Sequence, residues 1–308
     1  MVRSGLFLVS KALGRYTAEK HKEIDVRTFF MSLVLIMIIG IGGPLDAREI
    51  RFAPLPMEER ETVTAQFLPM TTFLEQQVGG TISFVYTDSY ADLLHQFREN
   101  AIDLAYLGPL PYVALRAKDA QAIPLVFFRE SSGQTTYICA LVGLAERPLD
   151  LTQVQQMRVA LTQPLSTCGY LAVNGLLRQH GTSLADTVST YLGTHDEVAL
   201  SVVRGEYDFG GVKTSIGKKY AHLGLEILEK TKPLPAFALV ANARTLSPET
   251  MQAITAALTG LEVPGQDDKL VQSWGDNIRY GAVPASDDVY DVVRGLLGDH
   301  VIPEMGNF

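Results

Sequence analysis

The sequence predicts an α/β protein of two lobes, each a mostly parallel sheet flanked by helices, joined by two strands that cross between the lobes. Three observations predict it. A strand, helix, strand, helix, strand pattern runs from Glu49 to Leu107 and recurs from Met157 to Gly211. Apolar, β-branched stretches without a useful helix flank the second repeat, at Gln121 to Val142 and at Ala236 to Ala241. The recurring pattern is thus one unit interrupted by another, with a cleft between them, where ligands of such proteins bind.

In chain order, Glu49–Ala53 alternates like a strand and stops at Pro54-Leu55-Pro56. Glu58 to Val78 is helical, with Val63, Phe67, Met70, Phe73, Leu74 and Val78 on one side and Gly79-Gly80 as the stop. Thr81–Tyr86 is the second strand, Tyr90–Asn100 a helix with Leu93, Leu94 and Phe97 inward, and Ile102–Leu107 the third strand before Gly108-Pro109. In the inserted unit, Met157–Thr162 reads as a strand, Thr167–His180 as a helix, Thr187–Tyr191 as a strand, His195–Gly205 as a helix and Tyr207–Gly211 as a short strand. Ser247-Pro248-Glu249 opens a last clear helix, Thr250–Gly260, with serine as cap and proline in the first turn. Residues 48–138 and 236–308 are expected to form one discontinuous lobe and residues 139–235 the other.

Composition narrows the partners. Hydrophobic residues make up 47% and charged residues 19% of the chain, the pattern of a globular protein rather than a disordered one. A formal net charge of -8 with no basic run argues against nucleic acid, so any anionic ligand has to be held by local attraction. Six histidines are scattered without His-Glu-x-x-His or paired Cys-x-x-Cys spacing, and neither metal nor cofactor is expected. Phe29–Ile41 is an uncharged apolar run, short for a membrane span and suited to the core of an export signal, with Leu45-Asp46-Ala47 as a cleavage site. The stretch from Met1 to Thr28 is long for the charged segment of a signal, and a start at Val26 would make it an ordinary one. An uncleaved signal anchor is the alternative. The only cysteines are Cys139, in an apolar strand, and Cys168; the sequence leaves open whether they meet, and buried free thiols are the expected state.

The most telling residues are Leu165-Ser166-Thr167-Cys168-Gly169-Tyr170, which turn a buried strand into a helix through small polar side chains. A helix starting at Ser166 or Thr167 leaves its first amide hydrogens unpaired, with the positive end of its dipole behind them. An oxyanion fits there without a lysine. The competing reading is a plain N-cap.

Together, Ile102–Val113, the stretch from Val159 through Tyr170, Leu192-Gly193-Thr194-His195 and Val203–Asp208 resemble the periplasmic solute-binding component of phosphate, phosphite and phosphonate ABC transporters, a group within the type II periplasmic binding-protein fold. The resemblance runs from Glu49 to near Leu261. It implies an oxyanion held by Ser166, Thr167, His195 and Tyr90, with an imidazolium at His195 adding a charge-assisted bond. Cys168 stands where the family commonly has another small hydroxyl residue and is a weaker donor of the same set. Tyr106 and Tyr112, beside Gly108, are candidates from the first lobe, and Asp208 is a candidate to orient a donor, with a turn aspartate as its competing reading. Members that take aminoalkyl phosphonates hold the amine with carboxylates; the corresponding stretches here, Val212-Lys213-Thr214-Ser215 and Leu234-Pro235-Ala236-Phe237, contain none. The resemblance therefore implies a periplasmic monomer that closes on phosphate, phosphite or a simple alkylphosphonate and docks on an ABC permease. A sensor partner in place of the permease is the alternative. A hydrolase built from Ser166, His195 and Asp208 is the remaining one, weakened by the lack of a Gly-x-Ser-x-Gly turn.

Overall fold

The computed structural model describes residues 49–307, so the expected export segment and the alternative start at Val26 lie outside the described residues. Among the described residues, no helix is long and apolar enough to cross a membrane. The first lobe begins with β1 (Glu49–Pro54), α1 (Arg60–Val78), β2 (Thr81–Phe84), α2 (Tyr90–Arg98) and β3 (Leu104–Leu107). Helix α1 buries Val63, Phe67, Met70 and Leu74, the stripe its spacing predicts, and ends at Gly79 with a left-handed φ of 67°. Both neighbours of β1 run parallel to it, as right-handed crossovers require.

Helix α3 (Pro109–Arg116) and β4 (Ala122–Phe128) follow. Proline at N1 suits α3 because that amide hydrogen has no helical acceptor, while Leu110, Tyr112, Val113 and Leu115 are buried. Gly108 is its N-cap, and a Cβ there would sit 3.1 Å from the Phe237 ring, so the ring needs the glycine.

The chain then crosses through β5 (Thr136–Tyr137) into β6 (Cys139–Leu144), and the second lobe continues with β7 (Arg158–Leu161), a π-helical turn (Thr167–Leu171), α4 (Ala172–Gln179), β8 (Val188–Tyr191), α5 (His195–Val203), β9 (Phe209–Lys213), α6 (Thr214–Lys219) and β10 (Leu225–Lys230). Its strands order as β10-β6-β9-β7-β8, with β7 parallel to β8 and β9 and with β6 antiparallel to β9 and β10. Val173, Leu176 and Leu177 cover one face of this sheet and Val198, Ala199 and Val202 the other. Strand β11 (Leu234–Pro235) pairs antiparallel with β5, Leu234 opposite Tyr137 and Pro235 opposite Thr136, and makes the two crossing strands one ribbon.

Back in the first lobe, β12 (Ala238–Asn242) inserts antiparallel between β3 and β4, giving the order β13-β4-β12-β3-β1-β2 with β13 (Ala282–Pro284) at the edge. Each sheet is mixed because the strand that enters it from the ribbon, β12 in the first lobe and β6 in the second, runs against its neighbours. Helix α7 (Pro248–Thr259) is capped by the Ser247 hydroxyl, which accepts from the Thr250 N–H at 3.2 Å. Beyond α8 (Asp291–Leu297), the tail reaches the second lobe at edge strand β8, where Asn307 accepts from the Ser189 N–H at 2.6 Å and donates to the carbonyl of Thr187, just before the strand, at 2.9 Å.

One expectation is overturned. Cys139 and Cys168 are not free thiols but a disulfide, with their Cα atoms 5.1 Å apart, inside the range the bond demands. It ties the start of β6, just past the crossing ribbon, to the second residue of the π turn. Gly211 on β9 makes room for that turn, since a Cβ there would collide with the Cys168 carbonyl and the Val173 side chain.

Candidate anion-binding cleft

A cavity of about 600 Å³ lies between the lobes at the carboxyl ends of β1, β3, β7, β8 and β9. Its walls carry Glu58, Glu59 and Thr62 from the start of α1, Tyr90 from the start of α2 and Gly108 and Pro111 from the start of α3. The second lobe adds Ser166, Thr167 and Cys168 from the π turn and Thr194, His195 and Asp196 from the start of α5. Helix amino ends therefore converge on the cleft from both lobes, and their unpaired amide hydrogens make it a place for an anion in a chain of net negative charge.

The π turn is where the local structure departs most from a regular helix. Leu165 is held at φ 63°, a left-handed conformation that costs a non-glycine residue about 1–2 kcal/mol, and Gly169 carries a non-helical ψ of -119° inside the turn. Strain of this kind persists only where the surroundings enforce it, here the disulfide and the contact with Gly211. Ser166 occupies the N-cap position yet makes no side-chain cap hydrogen bond, which leaves its hydroxyl for the cleft it lines. The plain N-cap reading of Ser166 therefore does not hold. The Thr167 hydroxyl accepts from the Leu110 N–H at 3.1 Å, so it caps α3 of the opposite lobe and keeps its own hydrogen to donate. Gln163 makes a second bridge between lobes, donating to the Pro56 carbonyl at 2.8 Å.

His195 opens α5, behind Thr194, whose hydroxyl accepts from the Glu197 N–H at 3.1 Å. Its Nδ1 accepts the Lys213 N–H at 3.4 Å, which places the ring hydrogen on Nε2. Burial, reinforced by the Lys213 ammonium, holds the imidazole down at about 4 from its ordinary 6.5. His195 is thus a neutral N–H donor near neutral pH and not the imidazolium expected from the resemblance. Because its folded-state value is depressed, the unfolded chain takes up the proton first. The stability that depends on neutral His195 is present above pH 6.5 and is lost as pH falls towards 4. The wild type should accordingly lose more stability than His195→Gln between pH 7 and pH 4.5, as read by urea unfolding, and the His195 ring should show no NMR titration step between pH 5.5 and 7.

Of the sequence-predicted residues, the structure brings Ser166, Thr167, Cys168, His195 and Tyr90 to the cleft and leaves Tyr106 and Asp208 outside it. Cys168 lines the cleft without a thiol to offer, because its sulfur is in the disulfide; only its backbone amide remains as a donor. Tyr106 is wholly buried behind the wall, stacked on Phe237 at 5.1 Å and packed edge-on to Phe67, with its hydroxyl donating to the Asn277 carbonyl at 3.4 Å. Tyr112 is likewise buried and donates to Asp287. Asp208 accepts from the Arg158 N–H at 2.7 Å and pairs with that guanidinium at 3.3 Å. It precedes β9, five residues from Lys213 at the strand's other end, and at about 3.3 Å per residue that is roughly 16 Å from the cleft. The Ser166, His195 and Asp208 arrangement of a hydrolase is therefore not assembled.

Sequence reasoning missed Tyr137, Lys213 and Gln163 as lining residues. Burial holds the phenols of Tyr90 and Tyr137 well above their ordinary value, so both remain hydroxyl donors at any physiological pH. Lys213 donates to Glu130 at 2.6 Å and lies 5.2 Å from the centre of the Tyr137 ring. Two of the acidic residues on the walls are engaged: Glu58 accepts from Gln66 at 3.1 Å and Asp196 from Lys219 at 2.7 Å.

Two α/β lobes joined by a strand ribbon, with helix amino ends meeting in the cleft, define a periplasmic binding protein of the type II fold. Residues 52–290 match the family described as "ABC transporter, phosphonate, periplasmic substrate-binding protein", and the chain belongs to that family. It is similar to the "Phosphate-import protein PhnD" of Mycolicibacterium smegmatis, 28% identical over 271 residues that cover 80% of this chain and 84% of the relative. Among solved structures it resembles PhnD1 from Prochlorococcus marinus in complex with methylphosphonate, with a TM-score of 0.69 and 15% identity over 82% of this chain and 98% of that one. A binding protein component of an ABC phosphonate transporter from Pseudomonas aeruginosa gives a TM-score of 0.65 and 18% identity over 82% of this chain and 86% of that one.

Proposed function

We propose that the chain binds a small phosphorus oxyanion without an amine, namely phosphate, phosphite or a simple alkylphosphonate, and delivers it as a monomer from the periplasm to an ABC permease. The observation that carries this reading is the strained π turn, which presents the Ser166 and Thr167 hydroxyls and its leading amides to the cleft opposite the neutral N–H of His195. Tyr90 and Tyr137 add hydroxyls from the first lobe and the ribbon, so donors surround an anion from both sides. Leu55, Met57, Ile216 and Phe237 supply apolar wall for an alkyl group. Phosphate import and methylphosphonate, named for the Mycolicibacterium and Prochlorococcus proteins, both fall within this ligand class.

Bridges between the lobes at Thr167–Leu110 and Gln163–Pro56 support a closed form held by few contacts, reached by bending the β5–β11 ribbon. An ammonium group would find Lys213, not a carboxylate, on the second-lobe stretch where amine-binding members carry acids. A thermal-shift screen tests the reading. Ligand at a hundred times its Kd stabilises by about 2.7 kcal/mol, or several degrees for a chain of this size. Phosphate, phosphite or methylphosphonate should produce that shift, and 2-aminoethylphosphonate should not. A screen in which none of the phosphorus oxyanions moves the transition contradicts the reading.

A further inference from the structure

Lys213 is the only lysine or arginine lining the cleft among the described residues. It ends β9, its backbone N–H fixes the His195 ring, and its ammonium is engaged by Glu130, with both side chains about four-fifths buried. Glu130 does not itself line the cleft. It lies in the tight turn leading into the crossing ribbon, where its N–H donates to the Gln134 carbonyl at 2.8 Å and its carbonyl accepts from the Gly133 N–H at 2.7 Å. Every other donor gathered at the π turn is neutral. An anion with one negative charge is served by those neutral donors alone. An anion with two brings a second charge beside an ammonium on a flexible four-carbon stem, which can swing where a guanidinium fork would be fixed.

Resting on the phosphorus oxyanion reading above, we propose that Lys213 is the charge-reading residue of the site: its ammonium leaves Glu130 for the ligand's second negative charge, so the cleft takes dianionic phosphoryl groups in preference to monoanions of the same shape. The Lys213–Glu130 pair is then a two-position element. In the empty cleft Glu130 neutralises a charge that is mostly out of water, and in the filled cleft the ligand does so. Glu130 competes with the ligand, and removing its charge strengthens binding.

Methylphosphonate and methanesulfonate are matched in shape but carry two charges and one at pH 8.5, and calorimetric titration of both on the wild type, K213M, K213R and E130Q separates the possibilities. The wild type should favour methylphosphonate by at least about tenfold, and K213R, whose guanidinium fork stays on Glu130, should lose most of that preference. K213M should weaken methylphosphonate by about ten- to a hundredfold, the worth of one hydrogen bond to a charged group, and leave methanesulfonate nearly unchanged. E130Q should tighten methylphosphonate. A pair that serves only to hold the ribbon predicts that K213M and E130Q weaken both ligands alike, and that outcome overturns the exchange while leaving the oxyanion reading intact. Failure of the wild type to bind methylphosphonate, phosphate or phosphite overturns both.

Discussion

Replacing Ser166 and Thr167 together by alanine is expected to weaken binding of phosphate or methylphosphonate by at least about a hundredfold. In the proposed binding mode each hydroxyl donates to a charged acceptor, and such bonds are worth about 1.5–3 kcal/mol apiece, where 1.4 kcal/mol is tenfold in affinity. The two positions differ in what else they do. The Ser166 hydroxyl makes no cap bond, so Ser166→Ala alone should cost about tenfold or more in affinity and leave the ligand-free melting temperature within a degree or two. The Thr167 hydroxyl also accepts the Leu110 N–H, and its loss strands a buried donor at the head of α3, costing about 1–3 kcal/mol of stability in the ligand-free protein. Calorimetric titration and thermal melts on both single variants and the double variant check these outcomes. A serine variant that melts several degrees lower but binds normally would return Ser166 to a merely structural role.

Breaking the disulfide is the other large effect expected. Cys139 and Cys168 are 29 residues apart, and closing a loop of that length restricts the unfolded chain by about 3–4 kcal/mol on the chain-entropy account. For a chain of this size each kcal/mol moves the melting temperature by about 2–4 °C, so reduction, or the Cys139→Ala/Cys168→Ala variant, should lower it by roughly 10 °C. Binding should weaken as well. The bond anchors the π turn to the strand that leaves the crossing ribbon, and without it the left-handed Leu165 backbone loses one of the two constraints that hold its strain. Melting and calorimetry with and without a thiol reductant check both parts. Unchanged affinity after reduction would show that the Gly211 contact alone fixes the turn.

The legible part of the fold is the part written in periodicity. Helix α1 announces itself through Val63, Phe67, Met70 and Leu74 and a terminal glycine, and β1 to β3 and β7 to β9 through short apolar runs closed by Gly, Pro or a cap residue. Helix α3 is not legible that way, because Pro109 and Pro111 read as a loop after Gly108, although proline in the first turn is compatible with a helix. Strand β10, Leu225–Lys230, follows the left-handed Gly224, but its Leu-Glu-Ile-Leu-Glu-Lys run breaks the alternation that would mark a strand. The site divides along similar lines. Ser166, Thr167 and His195 lie next to breaks in periodicity at helix starts, where local sequence marks them as candidates. Tyr106 and Tyr137 each stand in an apolar run, and only the third dimension shows that one backs the wall and the other faces the cleft. Asp208 looks close to the site in sequence, yet β9 carries the chain a strand's length away before it reaches the cleft at Lys213. The disulfide was beyond reach because it depends on two elements meeting through Gly211, a contact that spacing does not encode.

The most direct test of the central claim is a crystal structure of the protein with methylphosphonate. The phosphonate oxygens should lie within hydrogen-bond distance of Ser166 Oγ, Thr167 Oγ1 and His195 Nε2, with Lys213 Nζ moved from Glu130 to the ligand. A phosphonate seated elsewhere, or a cleft whose π turn donates to no ligand oxygen, would contradict it.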